Sequence, residues 1–63
     1  MQKYKYTLVY KKSVYEIEAN SFAFEDKHII FIVEETDENK PPQSVIASFP
    51  TNKTAIVNVK RVE

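Results

Sequence analysis

Three features of this sequence predict an all-β fold. Apolar residues recur at every second position along most of the chain, turn-forming residues interrupt that pattern at intervals of roughly 8 to 15 residues, and no helical period outlasts one turn. The expected architecture is a single domain over residues 1–63, a small five-stranded antiparallel barrel or strongly bent sheet.

In chain order, residues 1–10 alternate, with Tyr4, Tyr6, Leu8 and Tyr10 on one side and Lys3, Lys5, Thr7 and Val9 on the other. This is the pattern of a half-buried strand with an aromatic inner face. Lys11, Lys12 and Ser13 break it, and Val14 to Ala19 resumes it with Tyr15, Ile17 and Ala19 against Glu16 and Glu18. The two segments make a hairpin whose tyrosine faces coincide, with Lys3 and Lys5 near Glu18 and Thr7 near Glu16. Such cross-strand pairs contribute about 0.2 to 1 kcal/mol each, so they tune register. After Ala19 the apolar phase moves from odd to even positions, at Phe22 and Phe24. A one-residue slip within a strand is what a β-bulge produces, so the second strand is expected to continue through a bulge and bend at Asn20 and Ser21. Glu25, Asp26 and Lys27 make the next turn, with Asp26 best suited to an unusual backbone angle.

His28 to Glu35 is the third strand, and within it Ile29, Ile30, Phe31, Ile32 and Val33 run without a polar break. A strand shows alternate side chains to two faces, so both faces here are apolar and the second needs a cover. Thr36 to Gln43 is polar and contains Pro41 and Pro42, which cannot donate to a ladder, so it reads as an exposed loop. Ser44 to Phe49 is the fourth strand, with Val45, Ala47 and Phe49 on one side and Ser44, Ile46 and Ser48 on the other. Pro50 to Lys53 reads as a tight or 3₁₀ turn. Ala55 to Val62 is the last strand, with Ala55, Val57 and Val59 opposite Ile56, Asn58 and Lys60.

Composition narrows the chemistry. A domain of 63 residues buries only about 60% of its unfolded surface. With no cysteine and one histidine it has neither disulfides nor a Cys/His zinc site to staple it. Self-association or a well-ordered sheet is left to supply stability. The absence of glycine rules out phosphate-cradling glycine loops, and it leaves Asn or Asp to serve where a tight hairpin needs a positive φ. The N-terminal dozen residues lack the apolar core of a secretory signal, and no run approaches the roughly 18 apolar residues of a membrane-spanning helix. A soluble, cytoplasmic protein without membrane contact is expected.

Nine basic and nine acidic residues cancel, but unevenly. Lys3, Lys5, Lys11 and Lys12 make the N-terminus basic, every acid except Glu63 lies between Glu16 and Glu38, and the segment from Lys40 is basic again. Overall neutrality argues against bulk affinity for nucleic acid, which scales with the phosphates neutralised.

One phrase resembles a known family. Ala47-Ser48-Phe49-Pro50-Thr51-Asn52 is similar to the end of an SH3 domain, where an aromatic or aliphatic residue, Pro, a small residue and Asn form a 3₁₀ turn before the last strand. The resemblance covers four to six residues and implies an SH3-like barrel. The tyrosine expected after the Asn is replaced by Lys53, the paired tryptophans are absent, and no glycine precedes the aromatic residue. These departures remove the groove that would hold a proline-rich peptide. The cadence of the chain also looks like that of small all-β proteins of bacteria and their phages.

No catalytic constellation can be assembled. His28 stands near Glu25 and Asp26 but has no evident serine partner, and Glu34, Glu35, Asp37 and Glu38 lack the spacing and glycine of a calcium loop. A non-enzymatic module without cofactor, metal or small-molecule substrate is expected, binding another macromolecule or itself as a homodimer. Two surfaces are candidates. Ile30 and Ile32, continued by Ile46 and Ile56, would form an isoleucine patch suited to an interface. Alternatively, Lys3, Tyr4, Lys5, Tyr6, Tyr10, Lys11 and Lys12 on the N-terminal hairpin would contact phosphates and stack bases, as single-strand nucleic-acid binders do.

Overall fold

The computed structural model describes residues 2–34, 38–39 and 42–62. Six strands follow one another: β1 (Tyr4–Tyr10), β2 (Ser13–Ala19), β3 (Ser21–Glu25), β4 (His28–Glu34), β5 (Gln43–Pro50) and, after a 3₁₀ turn at Thr51–Lys53, β6 (Thr54–Arg61). They form two antiparallel three-stranded sheets, the first ordered β2-β1-β6 and the second β3-β4-β5. The fold is all-β, as the alternation requires, but it has six strands instead of five and is not a closed barrel.

The difference arises at Asn20. The sequence suggested one strand bent by a bulge here; the chain instead leaves the first sheet at Ala19 and enters the second at Ser21. The Asn20 backbone N–H donates to the Ile32 carbonyl at 2.9 Å, which assigns its main chain to the second sheet. Its side chain reaches both ways: Nδ2 donates to the Gln2 carbonyl at 2.7 Å and Oδ1 accepts from the Glu34 N–H at 2.8 Å. One residue thus ties the start of β1 to the end of β4.

The phase slips expected at Asn20 occur elsewhere. Between β1 and β6 the register shifts after Thr7, leaving Val57 without a partner, and between β4 and β5 it shifts after Phe31, leaving Ile46 without one. Each bulge lies on a strand at the edge of its sheet. In consequence Val45 pairs with Ile32 and not with the inward Val33, which moves it to the opposite face from Ala47 and Phe49.

Both hairpins close with two-residue turns, Lys11-Lys12 between Tyr10 and Ser13, and Asp26-Lys27 between Glu25 and His28. All four turn residues have positive φ, at 51°, 66°, 49° and 62°. A tight turn of this type compensates strand twist and demands that backbone, which glycine adopts most easily. Asp26 takes the role its composition suggested, and three lysines do so as well, at a steric cost of roughly 1 kcal/mol apiece.

The core lies between the sheets. Tyr6, Leu8, Ala19, Ile29 and Phe31 are buried, with Leu8 and Phe31 fully so. β1 and β4, the central strands, supply four of these five, since only a central strand has neighbours on both sides. Tyr6 packs against Phe31 and Phe22 with ring centroids 5.2 and 5.5 Å apart, and Phe49 packs against Tyr10 and Tyr15 at 5.7 and 5.4 Å. Rings at such separations and inclined angles add roughly 0.5 to 1.5 kcal/mol per pair to the burial itself. Burial raises the Tyr6 phenol above its ordinary pKa, and the neighbouring Tyr4 hydroxyl adds to the effect.

The 3₁₀ turn stands where Pro50 to Lys53 suggested it. Thr51 is tied to the second hairpin, its N–H and Oγ1 donating to the Lys27 carbonyl at 2.9 and 3.0 Å, and Thr54 Oγ1 donates to the Pro50 carbonyl at 2.7 Å. Half of the expected loop Thr36–Gln43 lies outside the described residues; Gln43 itself opens β5. Among the described residues no helix is long and apolar enough to cross a membrane.

Candidate interaction surface on the second sheet

Strand alternation sends Ile29, Phe31 and Val33 of β4 into the core and leaves His28, Ile30, Ile32 and Glu34 on the opposite face. The ladder sets their neighbours. Ala23, Ile30 and Ser48 form one row across the sheet, and Ser21, Ile32 and Val45 the next. Glu25, His28 and Pro50 close one end, and Glu34 stands at the other opposite Gln43. The middle of this outer face is therefore apolar. Val45 is 58% exposed and the adjoining bulge residue Ile46 51% exposed, while Ile30 and Ile32 are half-buried.

At the His28 end the face holds an open depression of about 330 Å³, lined by Glu25, Asp26, His28, Ile30, Val45 and Ser48. His28 Nδ1 lies 2.7 Å from the Asp26 carbonyl oxygen. A carbonyl only accepts, so Nδ1 is the donor in this contact. The fold brings Ser48 to the same depression, a neighbour that strand assignment alone did not reveal. No hydrogen bond joins Ser48 to His28 among the described residues, and no group of three or more potential metal ligands occurs among them.

The outer face of the first sheet differs. There Lys5 stands between Glu18 and Lys60, and Thr7 between Glu16 and Asn58. Lys5 Nζ pairs diagonally with Glu16 Oε2 at 3.2 Å. A third row on this face, Val14, Val9 and Ala55, is apolar, and Val14 is 66% exposed, so the face is mixed, with charged and polar rows beside an apolar one.

The four expected patch isoleucines are not brought together. Ile30 and Ile32 share the second sheet's outer face and Ile46 sits at its edge bulge, but Ile56 belongs to the first sheet, pairs with Leu8 and packs on the core. Val45, read from alternation as inward, takes the outward place beside Ile32. The lysines and tyrosines of the N-terminal hairpin also separate. Tyr6 is 4% exposed, Tyr4 and Tyr10 are half-buried on the inner side, and Lys5 is on the outer side in its ion pair. Lys11 and Lys12 form the turn, with Lys11 Nζ 5.4 Å from the Tyr10 ring centre, and Lys3 lends its carbonyl to the Val62 N–H at 2.9 Å.

No family model, curated protein or solved structure matches this chain.

Proposed function

We propose that this chain is a non-enzymatic binding module, SH3-like in strand arrangement, that docks another macromolecule on the outer face of β3, β4 and β5. The observation that carries the reading is the apolar centre of this outer face, where Ala23, Ile30 and Ile32 are half-buried and Val45 is 58% exposed. Apolar side chains left partly exposed on the outside of a sheet gain little for the isolated fold, and a patch of them marks a contact surface. The SH3-like part is supported by the 3₁₀ turn that follows Phe49-Pro50 and precedes the last strand. A cysteine-free chain suits the reducing cytoplasm.

Nucleic acid is the second reading, favoured by Lys5 and Lys60 standing opposite each other on the first sheet. With Tyr6 buried and Tyr4 and Tyr10 half-buried on the inner side, binding would rest mainly on phosphates, fall steeply with salt and be weakened by Lys5→Glu. An absence of binding to single-stranded DNA or RNA at low salt removes it.

A photo-crosslinking side chain at position 45, compared with one at Asn58 on the other outer face, tests the docking reading in the cells that make the protein. Discrete adducts from position 45 alone support it; none, or equal adducts from both positions, overturn it.

A further inference from the structure

Resting on that docking reading, we infer that the outer face of the second sheet takes a cationic amphipathic helix of a partner protein, lying along β4 with its apolar stripe on Ile30, Ile32 and Val45 and its basic residues on Glu25 and Glu34. The first argument is charge. The strands of this sheet contain no lysine or arginine, so the charges at its strand positions are all carboxylates: Glu25 at one end of the outer face and Glu34 at the other. The Asp26 carboxylate adds to the first end, where it lines the depression. Among the described residues no ion pair is made by Glu25, Asp26 or Glu34, although Lys27 adjoins Asp26 in the turn; the ion pair between Lys5 and Glu16 lies on the other sheet. A second copy laid on this face about a two-fold axis would set carboxylates beside carboxylates around the same apolar centre. A partner of opposite charge completes both parts of the surface, and charge complementarity of this kind selects partners and speeds encounter.

The second argument is shape. Three strands about 4.8 Å apart give a face about 10 Å across between the outer strands, the diameter of one helix. From His28 to Glu34 the face runs for about 20 Å, at roughly 3.3 Å per residue, which corresponds to about 13 residues of helix. Strand addition is the competing mode; the edge of β5 is blunted by the bulge at Ile46, and the other edge, β3, offers only five residues. The helix supplies the second cover that a two-faced apolar strand requires.

The test uses a fluorescent 18-residue helix-forming peptide of leucine and lysine, and its counterpart with glutamate for lysine. The lysine peptide is expected to bind the protein saturably and the glutamate peptide at least tenfold more weakly. Val45→Asp, at an exposed position, should weaken the lysine peptide at least tenfold. The double variant Glu25→Lys/Glu34→Lys should do the same and let the glutamate peptide bind in its place. Glu18→Lys, the matched change on the other outer face, should leave binding within twofold, with circular dichroism confirming the fold of each variant. Equal binding of the two peptides, or a double variant that binds as the parent does, overturns the inference. So does sedimentation showing that the protein pairs through position 45 and excludes the peptide. The crosslinking readout separates the two levels: silence at position 45 removes the docking reading itself. Adducts there that persist in Glu25→Gln/Glu34→Gln, or that map to an acidic segment or to a second copy of this chain, remove only the cationic helix.

Discussion

In the first sheet the central strand sends Lys5 outward between Glu18 and Lys60; in the second it sends Ile30 and Ile32 outward, Ile30 between Ala23 and Ser48, Ile32 between Ser21 and Val45. Several other features of the two sheets run parallel. Each has three antiparallel strands, a hairpin closed by two residues at positive φ, and a bulged edge strand. Each contributes one fully buried large side chain from its central strand, Leu8 or Phe31. The shared features are those a two-layer core demands. The outer faces are free of that demand, and there the two sheets diverge.

The parallel is broken most severely at its centre. Phe31→Ala should cost about 3 to 5 kcal/mol and Leu8→Ala about 2 to 5, close to the whole stability of a domain this small. Both variants should lose cooperative thermal unfolding by circular dichroism; a Leu8→Ala protein that melts as the parent does would show that the sheets do not share the core equally. Next comes the residue that joins them. Asn20→Ala removes two side-chain hydrogen bonds and should lower stability in urea titration by about 2 kcal/mol.

The turns offer a change of opposite sign. Lys12→Gly and Lys27→Gly relieve left-handed backbone and should each raise stability by about 0.5 to 1 kcal/mol, by similar amounts in both hairpins. Alkaline titration probes the first sheet. Because the Tyr6 phenol is raised in the folded state, its stabilising contribution is complete below its unfolded pKa of about 10 and is lost as pH rises through the folded value. Tyr6→Phe should flatten that alkaline loss in melting temperature. The smallest effects belong to the outer faces in the free protein, where Val45→Thr and Lys5→Ala should each shift stability by less than about 0.5 kcal/mol. Only the first of these should alter docking at the second sheet.

The first hairpin was legible because its alternation is polar on one side. Tyr4, Tyr6 and Leu8 against Lys5 and Thr7, and Ile17 against Glu16 and Glu18, permit one register, and the ladder pairs Lys5 with Glu18 and Thr7 with Glu16 as that register requires. The inward set of β4 was legible too: Ile29, Phe31 and Val33 all face the core. The bulges were not. At Asn20 the change of apolar phase is visible between polar residues, but Val45-Ile46-Ala47 and Ile56-Val57 present apolar groups at successive positions, so adding one residue leaves no trace in the pattern. The outward place of Val45, and with it the composition of the candidate face, depends on that hidden slip. Nor does the change of phase at Asn20 distinguish a bent strand from two strands in different sheets. That choice rests on side-chain hydrogen bonds to Gln2 and Glu34, far apart in sequence.

The ladder between β1 and β6 has a consequence in time. Its nearest pair in sequence is Tyr10 with Thr54, with every residue from 11 to 53 lying between them. The second sheet is complete within residues 21–50, and its first hairpin spans two turn residues. Loop-closure entropy rises with the length enclosed, and hairpins with short turns form within microseconds. A ribosome releasing this chain from its N-terminus therefore delivers five strands, and the whole second sheet with its outer face, before β6 emerges to finish the first.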